Sequence, residues 1–314
     1  MNLLRTGSEP VNGIDLSVVI AAGGNSQRLS ETLRSLSAAC VGLVHEQIVV
    51  HAGALDATPT TTSDSATLHL IERPAGTLIP VLWGIGATFA QGPVVAFTTT
   101  QLRVGPGWGR ALHAAISVDT DRDTVGAAGS LALAAHASCA TAATFFVRFS
   151  AFLPESVPSD SALRRDIPGD NAAYARAAIV RHSDLLQAGF WEVEFHRRFE
   201  REGLTLRLIP DASATMVGPV DFAAVIRERF EHAVEFGRSR VGRHGESALR
   251  IALGAPLVPA VLLVRTARRV LPFSRYRRPF VLALPWLVML TLAWAVGEWV
   301  GAMRVGDPRP SAQP

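Results

Sequence analysis

Residues 16–36 read LSVVIAAGGNSQRLSETLRSL, and the fold follows from how this run divides at Gly23-Gly24. Apart from Asp15 and Ser17, the residues from Asp15 to Ala22 are Leu, Val, Ile and Ala, as in a strand buried on both faces of a parallel sheet. Beyond the glycines, Ser26–Ser37 sets Leu29, Leu33 and Leu36 at helical spacing. Outward from there the alternation repeats. Gln47–His51 and Leu68–Ile71 read as strands, Leu78–Ala90 as a helix, and Pro93–Thr98 as a further strand. The pattern predicts an α/β domain with a mostly parallel sheet and helices on both faces. Ligands of such sheets bind beyond the carboxyl ends of the strands. That points to the loops Ala21–Gln27, His51–Asp56 and Thr98–Trp108.

The 314 residues suffice for one large domain or a mid-sized domain with an appendage. All 30 basic residues are arginine, which excludes a Schiff-base or phosphate-loop lysine mechanism. Cys40 and Cys139 sit in apolar stretches without metal or redox spacing, and read as buried small side chains. The net charge of +3 is unevenly spread. Residues 1–226 carry 16 arginines against 21 acidic residues, whereas residues 227–278 carry 12 against 4. A band this basic meets phosphate, in nucleic acid or in lipid headgroups.

The next stretch decides between them. From Phe280 to Val300 the one ionisable residue is Glu298, and about 20 apolar residues span a bilayer core. Trp286, Trp294 and Trp299 are candidates for interface positions. Arg265, Arg268, Arg269, Arg275, Arg277 and Arg278 precede the stretch, so that side is expected to be cytoplasmic. Ile251–Val264 is apolar for only 14 residues with two prolines, and reads as an interfacial or re-entrant helix. A two-span hairpin is the alternative. The N-terminus lacks a long apolar core, so no signal peptide is expected. The expected layout is a tail at 1–14, a domain at 15–220, a basic helical linker at 221–250 and a membrane-associated region at 251–303. A transmembrane helix lies in that region at about 280–300, and a tail at 304–314 follows. The main domain is expected in the cytoplasm, attached to the inner membrane by a single pass. Anionic phospholipid then becomes the partner of the basic band, and nucleic acid does not.

Five segments in order resemble the family 2 glycosyltransferases. The opening LSVVIAAGGNSQRLSETLRSL is similar to their first strand and helix, and IVVHAGALDAT to their second strand with its acidic turn. VVAFTTTQLRVGPGW stands where they carry the DxD motif, with Pro106 and Trp108 matched. IPGDNAAYARAAI resembles their Gly-x-Asn segment, and GFWEVEFHRRFEREGLTLRLIPDA their Glu-Asp helix and the strand after it. The resemblance covers about Leu16 to Met216 and implies a GT-A fold. It also implies single-displacement transfer from a nucleoside-diphosphate sugar. Such a reaction needs a carboxylate base for the acceptor hydroxyl. It also needs charge stabilisation at the diphosphate, for which Mg or Mn is usual in the family.

Carried over by position, Glu192 takes the place of the catalytic base, with Trp191 before it and Glu194 after it. Ala21, Ala22, Gly23, His51 and Asp56 fall on nucleotide-binding positions. Thr99, Thr100, Gln101 and Arg103 fall on the donor or diphosphate side. Gly169, Asp170 and Asn171 fall on the acceptor side, though Asp170 reads equally as the cap of a following helix. Asp56 reads equally as local turn chemistry. Several positions depart from the family. Thr98-Thr99-Thr100-Gln101 holds no carboxylate, Met216 replaces a late histidine, and His51 replaces an aspartate. The divalent-metal ligands are therefore not matched, since these cations need hard, charged oxygens.

Two functions follow. One is a hexosyltransferase acting on a lipid-linked or envelope glycan acceptor without a DxD-bound metal. In that case Arg103 or Arg73 and threonine hydroxyls stabilise the leaving group. The alternative is an inactive paralogue that binds or scaffolds.

Overall fold

The structure, a computed structural model, describes residues 13–57, 59, 66–117, 123–157, 162–242 and 245–304. The expectations for the tails at 1–14 and 304–314 lie outside the described residues, apart from 13, 14 and 304. The chain forms two compact units. One comprises the described parts of Met1–Ala134 and Phe152–Val217, the other those of Ala135–Ala151 and Gly218–Pro314.

The first unit begins with strand β1 (Leu16–Ala22), helix α1 (Ser26–Ala39), strands β2 (His45–Ala52) and β3 (Ala66–Arg73), helix α2 (Ile79–Phe89) and strand β4 (Val94–Thr99). These match the elements read from the sequence to within two residues or so at each end. Short strand β5 (Leu102–Val104), helix α3 (Trp108–Ser117) and strands β6 (Thr124–Ala128) and β7 (Leu131–Leu133) follow. The chain then leaves for helix α4 (Cys139–Phe149), which belongs to the second unit. It returns through β8 (Ala162–Arg164), β9 (Ala172–Ala175), α5 (Arg176–Arg181), α6 (Ser183–Leu186), α7 (Glu192–Arg201), β10 (Thr205–Leu208) and β11 (Ala214–Met216).

The main sheet has the order β3-β2-β1-β4-β9-β6-β10-β8. β3, β2, β1 and β4 are mutually parallel, as are β6 and β10. β9 runs antiparallel to both β4 and β6, and β8 antiparallel to β10. A smaller sheet joins β5, β11 and β7. Alternate residues of β1 feed opposite faces, as a two-residue side-chain period requires. Val19 and Ala21 pack with Leu82 and Trp83 of α2 and Phe195 and Phe199 of α7. Val18, Ile20 and Ala22 pack with Leu29, Leu33 and Leu36 of α1 and Trp108 and Leu112 of α3. Helices thus cover both faces.

In the second unit, α4 is joined by α8 (Phe222–Gly242), α9 (Ala248–Gly254), α10 (Val258–Val270) and α11 (Ser274–Met303). Ala248–Val270 and Ser274–Met303 are each long and apolar enough to cross a membrane. The sequence reading assigned one span; by length and composition there are two candidates. Both cysteines are free thiols. Burial pushes the Cys40 thiol up to about 12, which suits an inert core position.

Candidate active site at the carboxyl ends of the strands

The loops after β1, β2 and β4 lie side by side because their strands are neighbours in register. Ala22 stands opposite His51, and Ala21 opposite Thr99. The Thr100 amide donates to the Ala21 carbonyl at 3.3 Å, tying the end of β4 to that of β1. The His51 ring is buried, and its Nδ1 lies 2.8 Å from the Gly53 carbonyl, which it meets as donor. Asp56 is a brace between loops: its carboxylate accepts from the Ser26 amide at 2.8 Å, and its own amide donates to Gly24. Those hydrogen bonds from Ser26 hold the Asp56 carboxyl below the usual range. Its position at the first turn of α1 is where a negative charge is favoured.

Gly169, Asp170 and Asn171 form one buried 3-10 turn that leads directly into β9. This corrects one sequence reading, since no helix starts there for Asp170 to cap. The alanine-rich AAYA segment is a strand because it fills the gap between β4 and β6, a tertiary cause that local propensity does not carry. Phe97 stands opposite Ala172, so the turn sits beside the exit of β4.

Glu192 is the first residue of α7 and half-buried. It packs so closely on Gly169 that a Cβ there would lie 3.3 Å from the Glu192 carboxyl carbon and 3.3 Å from the Trp83 ring. Trp83 in turn donates from its indole to the Thr98 carbonyl at 3.0 Å. Glu192, the Gly169–Asn171 turn and the end of β4 therefore converge around one tryptophan. A helix N-terminus stabilises the carboxylate form that a base needs.

Two other sequence-predicted residues point elsewhere. The Trp191 indole donates to the Ala188 carbonyl at 2.9 Å. Arg103 is half-buried. It lies on β5 with its guanidinium paired to Glu31 and donating to Thr32 at 2.9 Å and Thr100 at 3.4 Å. The Arg103 hydrogen bond is also what lowers the Glu31 carboxyl most. Arg73 is the contrast: it ends β3 beside Ala52, and its buried Nε has no hydrogen-bond partner among the described residues.

Behind Glu192 lies a chain of polar groups that the sequence reading missed. The Tyr174 hydroxyl is 2.8 Å from His196 Nε2, and His196 Nδ1 is 3.2 Å from Asp166. A neutral ring protonated at Nδ1 satisfies both contacts. Burial holds the Tyr174 phenol well above its usual range, and the carboxylates of Glu192, Asp166 and Asp170 act in the same direction. The signal in the sequence was the Glu192/His196 spacing, four residues apart on one helix face. Burial also lowers the His196 pKa below 6.5, against the pull of Asp166. The unfolded chain then binds a proton that the folded chain refuses, so this contribution to stability is complete above about pH 6.5 and is lost below it. The Asp166 carboxyl, lowered chiefly by His196, loses its contribution on further acidification. We expect the melting temperature to fall as pH drops from 7 to 5, less steeply in His196→Gln. Parallel slopes for the two proteins would show that this ring is not the titrating group.

The donor set at the end of β4 does not fit a divalent cation. Thr98 and Thr99 are buried and neutral, and the Thr99 hydroxyl lies 3.4 Å from the Gln101 amide. Among the described residues no three His, Cys, Asp or Glu side chains cluster to hold a metal. Magnesium and manganese are held by several hard oxygens, carboxylates prominent among them.

No protein-family profile matches the sequence, and no curated protein does. Solved structures do match in shape. One is the mannosyltransferase PcManGT from Pyrobaculum calidifontis, solved in complex with GDP-Man and Mn2+. The likeness covers 96% of this chain and 91% of that chain, with a TM-score of 0.52 and 15% sequence identity. At that identity the likeness establishes a shared fold with that structure.

Proposed function

We propose that this chain is a hexosyltransferase of the family 2 type. It would move a sugar from a nucleoside-diphosphate donor to a lipid-linked or envelope acceptor at the inner face of a membrane. The observation that carries this is the placement of Glu192 at a helix N-terminus, against Gly169 and beside the exit of β4. In the reaction the acceptor hydroxyl loses its proton to the Glu192 carboxylate as its oxygen bonds to the anomeric carbon. The bond from that carbon to the diphosphate breaks, and the nucleoside diphosphate leaves with the electron pair. The nucleoside side of the donor is assigned to Ala21, Ala22, Gly23 and His51, which line neighbouring strand ends. For the charge on the leaving group, Arg73 is the better candidate, because Glu31 already neutralises Arg103. Thr99, Thr100 and Gln101 supply neutral donors at the end of β4, and fixed donors of this kind stabilise developing charge well.

A second reading is favoured by the neutral threonines where a metal-dependent enzyme needs acids: a binding or scaffolding protein of the same fold. One experiment separates the readings. The purified chain is titrated calorimetrically with GDP-, UDP- and TDP-sugars, with and without manganese, and then assayed for transfer to cell membranes. A donor bound equally well with and without manganese, followed by transfer, is the expected result. Binding without transfer favours the second reading, and no binding to any donor removes the transferase.

A further inference from the structure

The second unit reads at first as a transmembrane anchor, but the way its helices are covered argues for a different posture. α11 has two faces. Val281, Val288, Leu292, Val296, Trp299 and Met303 recur every three to seven residues and are exposed. On the other face, Tyr276, Phe280, Ala283, Leu287, Leu290 and Glu298 are buried. α9, α10 and the 3-10 turn between them carry a matching exposed stripe, Leu249, Leu253, Leu257, Val261 and Val264, at steps of four and three. Such spacing is one helix face.

The buried face of α11 is covered at both ends. At its start, Phe146 of α4 meets the rings of Tyr276 and Phe280 at 6.0 and 5.6 Å. At its end, α8 packs backbone to backbone. A Cβ at Gly297 would lie 2.4 Å from the Phe230 carbonyl, and one at Gly301 would lie 2.0 Å from that of Val234. Arg240 pairs with Glu298, whose other oxygen accepts from the Trp294 indole at 3.2 Å, and Arg229 lies over that indole.

α8 is the obstacle to a span. It carries Arg227, Glu228, Arg229, Glu231, Glu235 and Arg238 as well as Arg240. It also begins at Phe222, a few residues past Val217, where the sheet-bearing unit ends. With α11 upright as a single span, its last turns would reach the far leaflet and draw these ionised groups into or through hydrocarbon. As the return arm of a hairpin its first turns would lie there instead, and would take with them α4, whose segment joins the sheet-bearing unit in sequence at both ends. Charged side chains at that depth are strongly disfavoured. With α11 lying flat, the covered face and α8 turn to water while the two apolar stripes enter the acyl chains. The charge pattern matches: every charged residue from Ser247 to Gly297 is an arginine. Arg250, Arg265, Arg268, Arg269 and Arg278 are exposed. Basic residues beside an apolar helix face are the mark of an interfacial helix on anionic lipid.

We propose that α4 and α8–α11 form a monotopic anchor that lies within one leaflet of an anionic phospholipid bilayer, with neither apolar helix crossing it. This rests on the membrane reading of the proposed function and is independent of the transfer chemistry.

The test uses the full chain in sealed membrane vesicles and a membrane-impermeant maleimide. Single cysteines are placed at three points in a Cys139→Ser background, where Cys40 stays buried. They are the exposed Ser183→Cys in the sheet-bearing unit, the exposed Ser274→Cys at the start of α11, and a cysteine added after Pro314. All three are expected to label from the same face without detergent. Protection of Ser274→Cys alone means a two-span hairpin, and protection of the C-terminal cysteine alone means a single span. Either overturns the proposal. Separately, the purified chain is mixed with phosphatidylcholine vesicles with or without phosphatidylglycerol. Replacing Arg268, Arg269 and Arg278 by glutamine is expected to weaken binding to the anionic vesicles on the order of a hundredfold. Equal binding to both vesicles overturns the anionic surface. No binding to either removes the membrane reading itself.

Discussion

Glu192→Gln is expected to lower the rate of sugar transfer by about 10²–10⁴-fold, the usual contribution of a positioned general base. The substitution keeps the side chain's length and its packing on Gly169 and Trp83, so the helix start and the melting temperature should hold. What goes is the ability to accept the acceptor's proton as the new bond forms. The loss should therefore appear in kcat, with donor affinity in calorimetry unchanged. Glu192→Asp is expected to restore part of the activity, since it returns the carboxylate at a shorter reach. Glu194→Gln serves as the control. Glu194 lies two residues on and 3.7 Å from Arg197, an ordinary pair within one helix. If Glu192→Gln transfers sugar as fast as the wild type, Glu192 is not the base. A loss matched by Glu194→Gln would mean that both act through helix stability.

How much of this was legible in the sequence depends on the range of the interactions. β1, α1, β2, α2 and β4 were readable because their patterns are local: an apolar run, a glycine break, leucines at helical spacing. The neighbouring places of His51 and Thr99 followed from strand adjacency once the alternation was recognised, whereas the contact of Glu192 with Gly169 is a tertiary one that strand adjacency does not give. Long-range pairings were not readable. Arg103 stood as a free cation in the sequence, and nothing local signals that Glu31, far away on α1, neutralises it. The helix after Asp170 failed for the same reason, because the vacancy between β4 and β6 dictates a strand. α4 was missed because its run of Ala, Thr and Phe resembles any core segment, and its partners Tyr276 and Phe280 lie beyond residue 270. For α11, composition reports only that the helix is apolar. Which of its faces is covered, and by a charged helix, is a property of packing.

Asn171→Leu is expected to destabilise the sheet-bearing unit by about 2–6 kcal/mol, because it leaves two buried groups, the Trp108 indole and the Ala212 carbonyl, without their partner, while the Ser130 carbonyl keeps the Ala214 amide at 3.0 Å. The Asn171 side chain is fully enclosed. Its amide nitrogen donates to the carbonyls of Ser130 at 3.0 Å and Ala212 at 2.9 Å, and its oxygen accepts from the Trp108 indole at 2.6 Å. The site is this tight because the backbones crowd together: a Cβ on Gly129 would lie 1.5 Å from the Ala212 carbonyl oxygen. Leucine fills similar volume but answers neither the indole nor the Ala212 carbonyl, and at about 1–3 kcal/mol each the loss is a large fraction of the stability of a small domain. Asn171→Asp should be comparably harmful, since its second oxygen would face two carbonyl oxygens. The resemblance placed this residue on the acceptor side, and denaturant unfolding separates that role from a structural one. A residue that only touches acceptor would raise KM when replaced and leave the unfolding midpoint where it was. A latch joining β6, α3 and the turn beneath Glu192 would lower the midpoint sharply and reduce activity as a consequence. We expect the second pattern, and an unchanged midpoint in Asn171→Leu would refute it.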